Sequence, residues 1–143
     1  MQSVNPSDLN SKGAEAPFAA TQDPTFDALF KLAIQGDLRV YFAAIPLRLI
    51  RPYAPEFNFL MLPGGEAIIA AIIAQARQGH FPRLWVYEKD NTFVMSDDYP
   101  QYHACILGQP DYVPCWVLGY PQHIAAKDVQ GPVDAREAAG ISP

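Results

Sequence analysis

Basic residues are scarce in this sequence, and that scarcity is the first constraint on what it can do. Ten Lys and Arg face fifteen Asp and Glu among 143 residues, a formal net charge of −5. Nucleic-acid modules commonly present a basic face that neutralises phosphates, so the charge argues against DNA or RNA as a partner. Cysteine is scarcer still. Cys105 and Cys115 are too few for a disulfide framework, and each sits in an apolar stretch as a small hydrophobe. Long hydrophobic runs are missing too. The longest, AIIAAIIA at 67–74, falls far short of the ~20 residues that span a bilayer. The opening MQSVNPSDLNSKGAEAPFAA has no positively charged start and no continuous apolar run, so it does not read as a signal peptide. These absences together predict a soluble, cytoplasmic chain with no membrane partner.

What is present organises into one domain. Half of the residues are hydrophobic and 17% are charged, enough apolar material for a modest core. Residues 1–22 lack periodicity and are expected to have no fixed structure. In DPTFDALFKLAIQGD, Asp23 can cap a helix with Pro24 in its first position, and Gly36 can end it. Phe26, Leu29, Phe30 and Ala33 recur there at helical spacing. Residues 38–55 read as extended, because Pro46, Pro52 and Pro55 exclude a long helix. GGEAIIAAIIAQARQG (64–79) is the clearest helix, with Ile68, Ile69, Ile72, Ile73 and Ala76 as an apolar stripe.

The following RLWVYEKDNTFVMSD predicts a hairpin turning at Asp90-Asn91. Asp98 is then placed to cap a helix over YPQYHACIL, with Gln101 three residues on, and DYVPCWVLG (111–119) reads as a strand. From Tyr120 the composition turns to Ala, Gly, Pro and polar residues, which predicts a tail over 120–143.

Stretches in this order resemble one family. IPLRLIRPYAPEF (45–57), ARQGHFPRLWVYEKDNTFVMSDD and YHACILGQPDYVPCWVL are similar to the ParB/sulfiredoxin-like superfamily over about 45–118, with the turn SDDYPQYHA at the junction of the last two. The resemblance implies an α+β fold, a small mixed β-sheet with flanking helices, occupying 23–119 together with the leading helix. It also implies a ligand site at the turn, where members of the family use Gly, His and Arg to hold phosphate at a helix N-terminus. Asp97 matches the acidic position before the usual glycine, and Ala104 matches the small helical residue.

The remainder of the motif departs from the family. Asp98 stands in place of the glycine, and Tyr99, Pro100 and Gln101 replace the basic segment. Phe57 and Phe59 lie where partition proteins often carry an arginine. No cysteine falls in the turn to act as a sulfiredoxin nucleophile. Two carboxylates facing a phosphate without a metal would repel it. At ~4 Å and an effective dielectric near ~20, one such charge pair costs on the order of 4 kcal/mol.

Two functional expectations follow. The first is a degenerate ParB-like domain acting as a non-catalytic binding or regulatory module, with no cofactor. Its ligand-contacting residues would be Asp97, Asp98, Tyr99, Gln101 and His103. A protein partner would dock on the 53–62 loop, through Tyr53, Phe57 and Phe59, or on the 24–35 helix. The alternative is a nucleotide- or metal-dependent phosphotransferase or nuclease at the 96–103 turn. In it Asp97 and Asp98 would gather around Mg²⁺ with help from Glu88 or Asp90, and His103 would serve as acid or base. No metal signature supports the alternative: His80, His103 and His123 lack zinc spacing. Gly64-Gly65 lacks a phosphate-loop pattern and reads as the entry to a helix.

Overall fold

The computed structural model describes residues 21–141. Six strands form one mixed sheet: β1 (Val40–Pro46), β2 (Ile50–Pro52), β3 (Leu84–Lys89), β4 (Thr92–Met95), β5 (Tyr112–Leu118) and β6 (Val129–Val133), in the order β2-β4-β3-β5-β1-β6. Four α-helices accompany them among the described residues: α1 (Pro24–Gln35), α2 (Gly65–Arg77), α3 (Tyr99–Gly108) and α4 (Ala135–Ala138). The expected α+β architecture is what the chain adopts. β3 runs parallel to β5, and β2 parallel to β4, while β1–β5, β1–β6 and β3–β4 are antiparallel.

Alternation along the strands makes two cores. Leu84 and Val86 face one side with Phe93, Met95, Val113 and Cys115, where Cys105 of α3 joins them. Tyr87 and Val94 face the other side, where they meet Phe26, Ala33 and Ile34 of α1. A sheet apolar on both faces needs helices on both, and that is how the chain solves it. Both cysteines are buried free thiols, as their apolar settings predict.

Local signals account for several boundaries. Asp23 caps α1 by accepting from the Thr25 and Phe26 amides, and Gly36 ends the helix at φ 87°. Asp90 and Asn91 take φ of 53° and 65°, the paired left-handed conformation of a tight two-residue hairpin, and Lys89 pairs with Thr92 across it. Gly64-Gly65 has a steric explanation. Gly64 sits at φ 77°, and a Cβ on Gly65 would collide with the carbonyl oxygen of Phe59. Because that neighbour is backbone, Gly65→Ala should cost about 1–3 kcal/mol, measured as a lowered midpoint in thermal or urea unfolding.

One expectation needs correction. Residues 120–141, expected as a tail, instead contribute β6, which pairs with β1, and α4, which joins the core beneath α1 through Ala135. β1 would otherwise be an open edge, and β6 covers its unpaired backbone groups. The apolar stripe of α2 is only partly covered. Ile69 is 2% exposed, Ile72, Ile73 and Ala76 are half-buried, and Ile68 is 46% exposed. α2 packs beside α3 and over the short 59–61 turn, so only one side of its stripe finds cover. Residues 1–20, most of the segment expected to have no fixed structure, lie outside the described part of the chain.

Candidate functional site

The turn Ser96-Asp97-Asp98 joins β4 to α3, as the sequence predicts, but α1 lies across it. Asp23 is the centre of that contact and is 1% exposed. One of its carboxylate oxygens, Oδ1, accepts from the amides of Thr25 and Phe26 at 3.0 and 3.3 Å. The other, Oδ2, accepts from the Tyr87 hydroxyl at 2.6 Å and from the Ser96 hydroxyl at 2.7 Å. Four donors therefore surround one buried carboxylate, which offsets the cost of removing it from water. Burial first, and then the Asp23 carboxylate, push the Tyr87 phenol above its ordinary range, so it stays protonated and donates. The helix cap visible in the sequence is also a clamp between α1, β3 and the turn.

Neighbouring contacts reinforce the clamp. Asp27, one turn into α1, accepts from the amide and the hydroxyl of Thr21, holding the approach to the helix. Phe26 stacks on Phe30, and Phe30 meets the edge of Trp85 at 5.3 Å between ring centres. What remains at the turn is a cavity of about 220 Å³. Its walls are Thr21, Phe26, Asp27, Phe30, Trp85, Asp97, Asp98 and Ala139. Drug-sized ligands occupy roughly 300–1,000 Å³, so this space is small for a nucleotide. Three of its eight walls are acidic side chains and none is basic, which is the wrong balance for phosphate.

Asp98 does not do what its position predicts. It makes no side-chain cap bond on α3. Its Oδ2 accepts instead from the Trp85 amide in β3 at 2.8 Å, so the cap expected with Gln101 is replaced by a tether to the sheet. Helix α3 begins on the Asp98 carbonyl, which takes the Tyr102 amide at 2.8 Å. Burial raises the Asp98 carboxyl to about 7, against the opposing pull of the Trp85 amide, and neighbouring Asp97 raises it further.

The other predicted ligand residues separate from this pair. The Tyr99 ring packs on Phe57 at 4.7 Å, and its hydroxyl accepts from the Ala54 amide at 3.0 Å. Tyr99 therefore holds the 53–57 loop against α3 instead of lining the cavity. Gln101 and His103 are half-buried on α3 and are not among the cavity walls. Glu88 and Asp90, considered as helpers for a metal, also lie elsewhere. Glu88 accepts from the Gln122 and His123 amides and pairs with His123 Nδ1 at 2.7 Å, while Asp90 sits in the hairpin turn. Among the described residues, no group of three or more His, Cys, Asp or Glu side chains is arranged to hold a metal ion.

The aromatic loop is likewise redistributed. Phe57 and Phe59 are half-buried, and the residues left outward are Tyr53 (42% exposed), Leu60 and Met61 (79%). A larger apolar feature lies further along the helical layer. Between α2, α3 and the start of β5 runs a groove of about 660 Å³. Ile72 and Ile73 form one wall, Ala104 and Cys105 another, and Val113 the base, while Arg77 is its single charged lining residue. The Cys105 thiol is pushed by burial up to about 11, which keeps it protonated and inert as a nucleophile. The sequence showed the apolar stripe of α2 but carried no sign that half of it would face outward.

No helix among the described residues is long and apolar enough to cross a membrane. No protein-family model matches the chain, and no curated protein matches it. Among solved structures, the crystal structure of sulfiredoxin from Arabidopsis thaliana is similar over 55% of this chain and 85% of that one, at 16% identity and a TM-score of 0.44. At that level of likeness no residue role passes from sulfiredoxin to this chain, whose site is described by its own contacts.

Proposed function

We propose that this chain is a non-catalytic binding module, built on a ParB/sulfiredoxin-like plan whose ligand turn is closed by the leading helix. One observation carries the reading: the Asp23 clamp on Tyr87 and Ser96 seats α1 over the turn. The space left is about 220 Å³ and walled by Asp27, Asp97 and Asp98. A phosphate entering there would meet carboxylates where the resemblance calls for Gly, His and Arg. The binding surface is then the outer helical layer, where the apolar groove beside α2 and the outward Met61 lie open.

Thermal unfolding with ATP, CTP, GTP and ADP, each with and without Mg²⁺, tests this reading. A ligand at 100 times its Kd adds about 2.7 kcal/mol, worth several degrees in a domain of this size. The expected result is no shift with any of them. A clear shift with one nucleotide would replace this reading with the phosphotransferase or nuclease alternative. One observation favours that alternative: Asp98, raised to about 7 beside Asp97 in a cleft, is poised as acids and bases of catalytic sites often are.

A further inference from the structure

The exposed side of α2 has a pattern that is complementary to itself. Glu66, Ala70, Ile73 and Arg77 follow one another at spacings of four, three and four residues, which sets them in a single line along a helix. Glu66, Ala70 and Arg77 are exposed and Ile73 is half-exposed. The acid stands at one end of the line, the base at the other, and a small and a large apolar residue lie between. Turned end for end, the line matches its own reverse: Glu66 meets Arg77, Ala70 meets Ile73, and both pairings recur across the axis. A two-fold symmetric contact requires this reciprocity. A small residue opposite a large one also lets two helices approach to the roughly 8–10 Å of ordinary packing.

We infer that two copies of this chain pair through α2, antiparallel across a two-fold axis, with Glu66 of each copy facing Arg77 of the other. The partner of the binding module proposed above is then a second copy, and the inference rests on that reading of the outer helical layer.

Surface beyond the line supports the pairing. Ile73 and Arg77 also line the apolar groove, so the line and the groove are continuous. On the rim of the groove Phe81, Leu107 and Tyr112 are 60%, 56% and 62% exposed. Line, groove and rim together make one exposed apolar patch, the kind of surface that marks contact with another protein. Charge is complementary only in this arrangement. Two chains of net charge −5 repel at a distance, whereas parallel pairing of α2 would set Glu66 on Glu66 and Arg77 on Arg77. The two ion pairs set direction and register more than affinity, which comes from the apolar surface.

Sedimentation equilibrium of the full chain up to millimolar concentration tests the pairing, with far-UV circular dichroism confirming that each variant is folded. The wild type should form a dimer. Glu66→Arg and Arg77→Glu should each weaken it about tenfold or more, and the double variant E66R/R77E should recover most of the loss. Ile73→Asp should leave a monomer. A wild type that stays monomeric throughout overturns the pairing, and so does a double variant that recovers nothing. Nucleotide stabilisation on the same preparation would overturn the binding-module reading instead, so the two failures are distinguishable.

Discussion

Asp23→Ala should lower the thermal midpoint of this protein by about 10 °C or more, the largest effect expected of any single substitution outside the apolar core. The change removes the α1 cap, worth about 1 kcal/mol in most helices. It also leaves the Tyr87 and Ser96 hydroxyls without their buried acceptor. A buried polar group stripped of its partner costs ~1–3 kcal/mol, so the total is on the order of 3–7 kcal/mol, a size reserved for a few named mechanisms. Tyr87→Phe and Ser96→Ala each remove one donor and leave Asp23 with three, so each should cost only about 1 kcal/mol. If Asp23→Ala costs no more than an ordinary cap, the clamp contributes nothing and α1 is held by apolar contacts alone. The same variant loosens α1 from the turn. Repeating the nucleotide series on it asks whether the helix is what keeps phosphate out.

Asp98→Asn should act in the opposite direction and depend on pH. Asp98 rises from its ordinary 3.8 to about 7 in the folded chain. Between those values the folded state holds a proton that the unfolded state has released. Stability from this group therefore falls as pH climbs from about 4 to about 7, and is level above. At about 1.4 kcal/mol per unit the whole shift would be worth ~4 kcal/mol. Asp98 keeps an opening to the small cavity, however, and water there reduces the penalty. About 2 kcal/mol is the reasonable expectation at pH 8. An asparagine oxygen can still accept from the Trp85 amide, so the tether survives the change. The variant should be more stable than wild type at pH 8 and equal to it below pH 4. A loss that grows as pH rises would show instead that the charge on Asp98 strengthens the tether.

Both predictions concern residues that the sequence marks, in roles it does not show. Asp23 before Pro24 announces a cap through contacts two and three residues away, and that cap forms. Its bonds to Tyr87 and Ser96 cross 64 and 73 positions, a distance at which no spacing rule operates. Asp98 shows the converse. Its place before Tyr99-Pro100 announces a cap just as clearly, but the amide of Trp85, thirteen positions earlier, takes the carboxylate first. Both acceptors were visible, but their donors from the sheet and the turn were not.

The same division runs through the fold. Pro24, Gly36 and the Asp90-Asn91 turn act on their own backbone, so α1 and the β3–β4 hairpin can be read from short stretches of chain. β6 cannot. VQGPV carries a glycine and a proline that argue against a strand, and it becomes one because β1, some 90 positions away in the chain, offers an open edge. Helix α2 combines both cases. Its isoleucines dictate an apolar helix wherever it lies, but only packing against α3 selects Ile69 for the interior and leaves Ile68 and the Glu66–Arg77 line outside. Periodicity is a property of neighbouring residues, whereas burial depends on what the rest of the chain brings alongside, and that is settled only when the sheet and its helices come together.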